Sequence, residues 1–416
     1  MRYDAIIVGA RIAGASTAIL LAQYGYKVLL VDRTEVMGKP AISSHFFGGP
    51  VLQFFDQKCG ILTELLATGA PELRRLHIDI EGFTYGAPRV AALKDYPYSL
   101  CIRREVLDTI LLRRALAEPN IEFRPNSAVR TLVKSGDRIV GVAGKDWEAH
   151  AAIVIGADGR HSTIARLAEA DFTYMEPALR CTLHAYWEDV HALPDPALEI
   201  WYWDDLMLQV GPCEGGGWVI LVSGPQEKFE QWNIHSERAY SDILWQIPSM
   251  ASRLKHARRV SSVMCLGDLK NYARTAAGPG WALVGDAYSH KDPMMGAGIY
   301  DACRGAEFLA DQIHCVLSGE MDWPDAMAVY QQKVSESIAA PIEPALRVIE
   351  SFQPVKPDEY AWIAAVFSNP AFASQISQGL SELFGGLPLE KKKFWQSEAE
   401  RVAQVLQLKP PAKVVS

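Results

Sequence analysis

The chain lacks the signatures of a membrane-spanning, nucleic-acid-binding or disulfide-bonded protein. No apolar stretch in its 416 residues is long enough to span a bilayer. The first β-like run begins at Tyr3, which reads as no room for a leader peptide. Basic residues number 41 against 49 acidic, a net charge of −8, and no basic stripe is present, so nucleic acid is not an expected partner. Lys391, Lys392 and Lys393 form the one basic run, which reads as a solvated helix face. The seven cysteines are scattered, odd in number and never in a C-x-x-C pair. Thiols in a reducing cytosol fit that usage, and a cytoplasmic protein is expected. Histidines do not pair at ligand spacing, so no metal site is expected. There is no internal repeat.

What is present begins at the N-terminus. Residues Tyr3 to Val8 form an apolar β run, Gly9 to Gly14 read G-A-R-I-A-G, and an apolar helix follows from Ala15 to about Tyr24. A second strand, Lys27 to Val31, ends on Asp32. This order is the dinucleotide-binding βαβ unit: the turn brings backbone N–H groups to a pyrophosphate at a helix N-terminus, and the acid accepts ribose hydroxyls. Gly9, Ile12, Ala13 and Gly14 belong to that turn. Arg11 stands where the usual motif has its middle glycine. Two readings stay open for it, a guanidinium facing phosphate and a side chain pointing to solvent.

Composition is that of an ordinary globular chain, 49% apolar and 22% charged, long enough for two domains or one composite one. After Asp32 and Arg33 comes an irregular stretch with Pro40, a Ser43-Ser44-His45 run, Gly48, Gly49 and Pro50. Helical texture is expected from Val51 to about Ala67 and from Arg104 to Ala117, the latter with Leu107, Ile110, Leu111 and Ala115 on one face. Short strands are expected near Leu76 to Tyr85 and Arg89 to Leu93, then a meander from Glu122 to Ile155. From Cys181 to about Val263 the texture is strands and turns, with a hairpin around Gly215-Gly216-Gly217. Trp281 to Val284 returns to a buried strand, and a helix runs from about Ile299 to Val316. The expected fold is α/β. A Rossmann-like dinucleotide-binding domain is expected over residues 1–75, 101–165 and 276–325, and a mostly antiparallel substrate sheet over 76–100 and 166–275. Residues 326–416 are expected to be helical.

Two further motifs close strands. Ile153 to Ile155 leads into Gly156-Ala157-Asp158-Gly159, and Trp281 to Val284 leads into Gly285-Asp286-Ala287, followed by Pro293, Gly296, Gly298 and Asp301. With the N-terminal turn and Arg104, this set resembles the FAD-dependent monooxygenases of the aromatic-hydroxylase type, over roughly Arg2 to Gln312. The resemblance implies that Asp286 accepts from the ribityl chain. It implies that Pro293, Gly296, Gly298 and Ile299 face the flavin N1–C2=O edge, where a helix N-terminus favours negative charge. Arg33 and Arg104 resemble arginines that meet the pyrophosphate, and Ser44 and Val129 fall among the expected FAD contacts. Asp158 reads either as a cofactor contact or as a turn residue. Tyr300 departs from the family, which often has Asn there.

The implied reaction is insertion of one oxygen atom from O2 into an aromatic or unsaturated small molecule through a flavin C4a-hydroperoxide, with NAD(P)H as transient co-substrate. Trp201 and Trp203 are candidate pocket residues, with a plain sheet core as the alternative. His45 and His290 are candidates for positioning or deprotonating substrate. Rival readings are a reductase of prenyl double bonds, a flavin halogenase and a non-catalytic flavin-bound partner. The halogenase run W-x-W-x-I-P is not matched by Trp201-Tyr202-Trp203-Asp204-Asp205.

Overall fold

A computed structural model of the chain describes residues 2–37, 43, 45–88 and 93–350. Ser44, the strand expected at 89–93 apart from its last residue, and the helical region expected beyond Glu350 lie outside those residues. The fold is α/β, with a Rossmann-like sheet for the nucleotide and a second sheet beside it.

The first sheet runs Ala277–Gly278, Trp281–Leu283, Glu148–Gly156, Arg2–Val8, Val28–Val31 and Ile121–Arg124. From Trp281–Leu283 onward every neighbouring pair is parallel. Parallel strands covered on both faces need unbroken apolar runs. Ala5 to Val8 and Val28 to Val31 are all buried. The helix Ile12–Gln23 packs between Gly298–Leu317 and Arg104–Leu116, so elements distant in sequence meet around the glycine turn. The helix expected over 51–67 is divided into Pro50–Phe54, a π-helical turn Phe55–Cys59 and Leu62–Ala67. Gly60, at φ +69°, makes the break.

The second sheet orders Arg258–Arg259, Arg180–Glu188, Trp218–Pro225, Leu206–Pro212, Ala197–Trp203, Arg75–Ile80 and Phe83–Pro88. Its pairs are antiparallel except Ala197–Trp203 with Arg75–Ile80. The region from Cys181 to Val263 is not all strand and turn: helices at Phe229–Ile234, Ser236–Gln246 and Pro248–Leu254 cover one face. Tyr240, Leu244, Ile247, Met250 and Leu254 recur every three or four residues and are buried there, a helical stripe legible in the sequence. The other face joins the core of the nucleotide half through Tyr186, Leu198, Ile200, Met207 and Val219. Among the described residues no helix is long and apolar enough to cross a membrane, and no cluster of metal-ligating side chains is found.

Candidate functional site

Close packing shapes the glycine turn. Gly9 has φ +105°, and a Cβ there would lie 2.3 Å from the Ala157 carbonyl oxygen. A Cβ on Gly14 would lie 1.8 Å from the Gly9 carbonyl oxygen, so the helix can meet the turn only at glycine. No side chain caps the helix that starts at Ile12, which leaves its first-turn amides for an anion. Asp32 closes the turn: Oδ2 accepts from the Ala10 amide at 2.9 Å, and Oδ1 from the Thr34 amide and hydroxyl at 2.8 and 2.9 Å. Arg33 is exposed, and Val129 is buried in the coil before Thr131.

Arg11 makes a contact that neither sequence reading named. Its φ of −87° needs no glycine, and its guanidinium bonds Asp108 at 2.5 Å. Arg104 bonds the same carboxylate through Nε and Nη2 at 3.0–3.2 Å. Asp108 is fully buried and carries both cations. The sequence reading missed Asp108, whose one signal is its position one turn after Arg104 on a shared helix face.

Asp158 is corrected toward its structural alternative. One oxygen accepts from Ser162 Oγ at 2.5 Å, and the other from the Thr163 and Ile164 amides at 2.6 and 3.2 Å. It thereby caps the helix Thr163–Leu167, and burial raises its pKa. Asp286 differs. It is half-buried after the Trp281–Leu283 strand, and among the described residues no hydrogen bond or ion pair engages its carboxylate. Gly285 beside it has φ +62°, and its would-be Cβ meets Ala13 Cβ at 2.8 Å, which presses the second motif against the first.

The turn Pro293–Met295 follows, capped by Asp292, whose Oδ1 accepts from the Met294 amide at 2.9 Å. Gly296 ends it in the left-handed region, at φ +61°. Gly298 opens a 20-residue helix that no side chain caps, and space is open where its Cβ would be. Ile299 is buried behind it. Lys291 and Asp301 form a buried pair at 2.8 Å that holds this turn to the helix. His290 is committed to structure. Its Nδ1 lies 2.7 Å from the Lys270 carbonyl, so that nitrogen donates; its ring stacks on Tyr272, and burial lowers its pKa.

His45 sits elsewhere, on the seam between the two halves. Its Nε2 lies 2.6 Å from the Tyr186 hydroxyl, and both groups are buried. Burial, then the His184 ring and Arg104 and Arg103, holds His45 neutral. Arg103 lies over the Tyr186 ring and pairs with Glu214. His184 is fully buried, with its pKa lowered to about 4 by burial and neither ring nitrogen hydrogen-bonded. Among the described residues Gln209 Oε1 and Asp292 Oδ2 are likewise buried without partners, and burial raises the Asp292 carboxyl to about 6. An unpaired buried polar atom costs about 1–3 kcal/mol, so this cluster is suited to a ligand rather than to the fold. Trp201 and Trp203 do not share the seam. They pack with the helical layer behind the sheet, where the Trp201 indole N–H donates to Glu199. Their strand neighbour Tyr202 faces the nucleotide half, so strand alternation carries the aromatic signal to the wrong residues.

Two uncapped helix N-termini, an uncommitted aspartate between them and open space beside Gly298 fit a flavin dinucleotide. Residues 2–340 match the family described as FAD binding domain, and the chain belongs to it. It is a flavin-dependent oxidoreductase that binds FAD. Relatives carry several reactions on this fold. The digeranylgeranylglycerophospholipid reductase of Methanocella arvoryzae is 20% identical over 361 residues, covering 84% of this chain and 86% of its own. The 6-methylpretetramide 4-monooxygenase of Streptomyces rimosus is 27% identical over 323 residues, 73% of each chain. The flavin-dependent brominase Bmp2 superposes with a TM-score of 0.76 at 17% identity, over 97% of this chain and 100% of that one.

Proposed function

We propose that the protein is a monooxygenase that uses NAD(P)H and O2 to place one oxygen atom on an aromatic or unsaturated small molecule. The other oxygen atom leaves as water, and NAD(P)H supplies the two electrons. FAD, when bound, accepts those electrons and activates O2. The observation that carries this reading is the buried, neutral His45–Tyr186 pair at 2.6 Å, on a seam that the Gly298 turn also faces. Oxygenation of a ring requires a proton to leave it or its substituent, and the hydrogen-bonded His45–Tyr186 pair offers a path for passing that proton on. Enclosure of the seam by the second sheet keeps bulk water from that exchange. The halogenase rival is disfavoured because Trp201 and Trp203 point away from the seam and the Ile-Pro of that run is missing.

Incubation of the FAD-loaded protein with NADPH or NADH, isotopically labelled O2 and a panel of aromatic and polyene compounds tests this. The expected result is ligand-stimulated oxygen uptake and a product that carries one labelled oxygen. Saturation of a double bond without oxygen uptake, halide-dependent substitution, or no stimulation by any compound would overturn the reading.

A further inference from the structure

Strand register places a defined row of side chains on the seam. His184 and Gln209 are both register partners of Leu221, on the strands at either side of it, and Ile200 continues the row beyond Gln209. Two strand spacings, roughly 10 Å, separate the His184 and Gln209 backbones. Gln209 Nε2 donates to the Met294 carbonyl at 3.4 Å, which sets the row against the turn that leads to Gly298. Among the described residues the Gln209 carbonyl oxygen and both His184 nitrogens have no partner, and both residues are more than nine-tenths buried. Leu221 and Ile200, their neighbours in the row, are aliphatic, and the His45 and Tyr186 rings meet His184 edge-on without hydrogen-bonding it.

Chemistry narrows what can pair with them. A neutral imidazole presents one donor and one acceptor, and the glutamine oxygen accepts. Cations close to the row are already committed: Arg103 to Glu214, and Arg180 to Ser223 and the Asp205 carbonyl. Asp292, which carries an unpartnered carboxyl oxygen, borders the same seam. Leu221, Ile200 and Met207 supply flat apolar contact for a ring.

We propose that His184 and Gln209 are the specificity-determining residues, selecting an uncharged ring compound that bears a hydroxyl or N–H group over its alkylated and carboxylated analogues. This rests on the reading of the seam as the substrate site, but not on which flavin reaction follows.

Titration of the FAD-loaded protein with 2-naphthol, 2-methoxynaphthalene and 2-naphthoate, followed through the flavin absorbance, tests it. The parent is expected to bind 2-naphthol at least about tenfold more tightly than either analogue, because a site built to pair with a donor leaves its own groups unpaired against one that lacks it. His184→Phe and Gln209→Leu are expected to keep FAD affinity and to melt at or above the parent temperature. Each should reduce the naphthol-over-ether preference to less than about threefold, a ratio that a purely structural role would not move. Equal binding of naphthol and ether, no binding of any probe, or variants that keep the full preference overturns the proposal. Naphthol bound with the expected preference but never oxygenated overturns the monooxygenase reading and leaves this one standing.

Discussion

At the scale of single residues, the site is decided by which charges find each other. Asp108 is fully buried and receives Arg11 and Arg104 together. Removing a buried carboxylate from between two cations, one of them buried, is far costlier than removing one cation of two. Asp108→Ala is expected to lower unfolding free energy by about 3–5 kcal/mol. Arg11→Ala should lower it by about 1 kcal/mol or less, since the Arg11 side chain is about a third exposed and Arg104 stays paired. Urea unfolding of the three proteins checks both values. FAD affinity of Arg11→Gly should stay near the parent's, and a tenfold loss would restore the phosphate-facing reading of Arg11. The residue types at Arg11 and Asp158 were legible in the sequence, but their partners were not. A guanidinium or carboxylate bonds whatever the fold brings near, and Asp108 is 97 positions from Arg11.

At the scale of elements, two helix N-termini frame the proposed cofactor site, and their glycines serve different purposes. Gly14 is required by protein packing, because a Cβ would strike the Gly9 carbonyl at 1.8 Å. Gly298 is not, because nothing lies within 4 Å of its would-be Cβ. Gly14→Ala is therefore expected to destabilise the apoprotein by about 2 kcal/mol or more and to abolish tight FAD binding. Gly298→Val should leave apoprotein stability within about 1 kcal/mol, because valine is no poorer a helix former than glycine and its Cβ meets no protein atom, yet weaken FAD binding at least tenfold. Thermal unfolding of the apoproteins with FAD titration separates the two roles; equal effects of both variants on apoprotein stability would remove the distinction. Gly14 was readable because it follows an apolar strand directly, and Gly298 through the resemblance carried by Gly285-Asp286 and the Pro293, Gly296, Gly298 run. The helical layer over 229–254 was equally readable from its three-to-four spacing, but the surrounding strands and turns masked it.

At the scale of the whole molecule, the seam joins two sheets through buried neutral groups, and this makes its stability depend on pH. The folded pKa of His184, about 4, lies below the ordinary value of 6.5. Between those values the unfolded chain binds more protons than the folded one, so the contribution of His184 is intact above 6.5 and is lost as pH falls toward 4. Asp292, raised to about 6, acts in the opposite direction, since its folded form is the readier to take a proton. A comparison of the parent with His184→Phe cancels the Asp292 effect. Relative to the variant, the parent should lose on the order of 3 kcal/mol between pH 7 and pH 4. Parallel stability curves from urea titrations across that range would show that His184 is not held neutral by the fold.

The sequence by itself determined the nucleotide unit, the order of its motifs and the flavin cofactor. The nucleotide unit is a local pattern of strand, turn and helix within about 30 residues that local sterics enforce, whereas the flavin was implied by the resemblance carried by motifs spread over Arg2 to Gln312. Only the tertiary structure decided which sheet face meets the flavin half. Strand alternation places Trp201 and Tyr202 on opposite faces, and one-dimensional order cannot say which face is covered by helices. It also decided the partners of Arg11 and Asp158, the commitment of His290 to a backbone carbonyl, and the meeting of His45 with Tyr186 across 141 positions. Charge pairing and burial act through space, so their outcome is known only once the chain has folded.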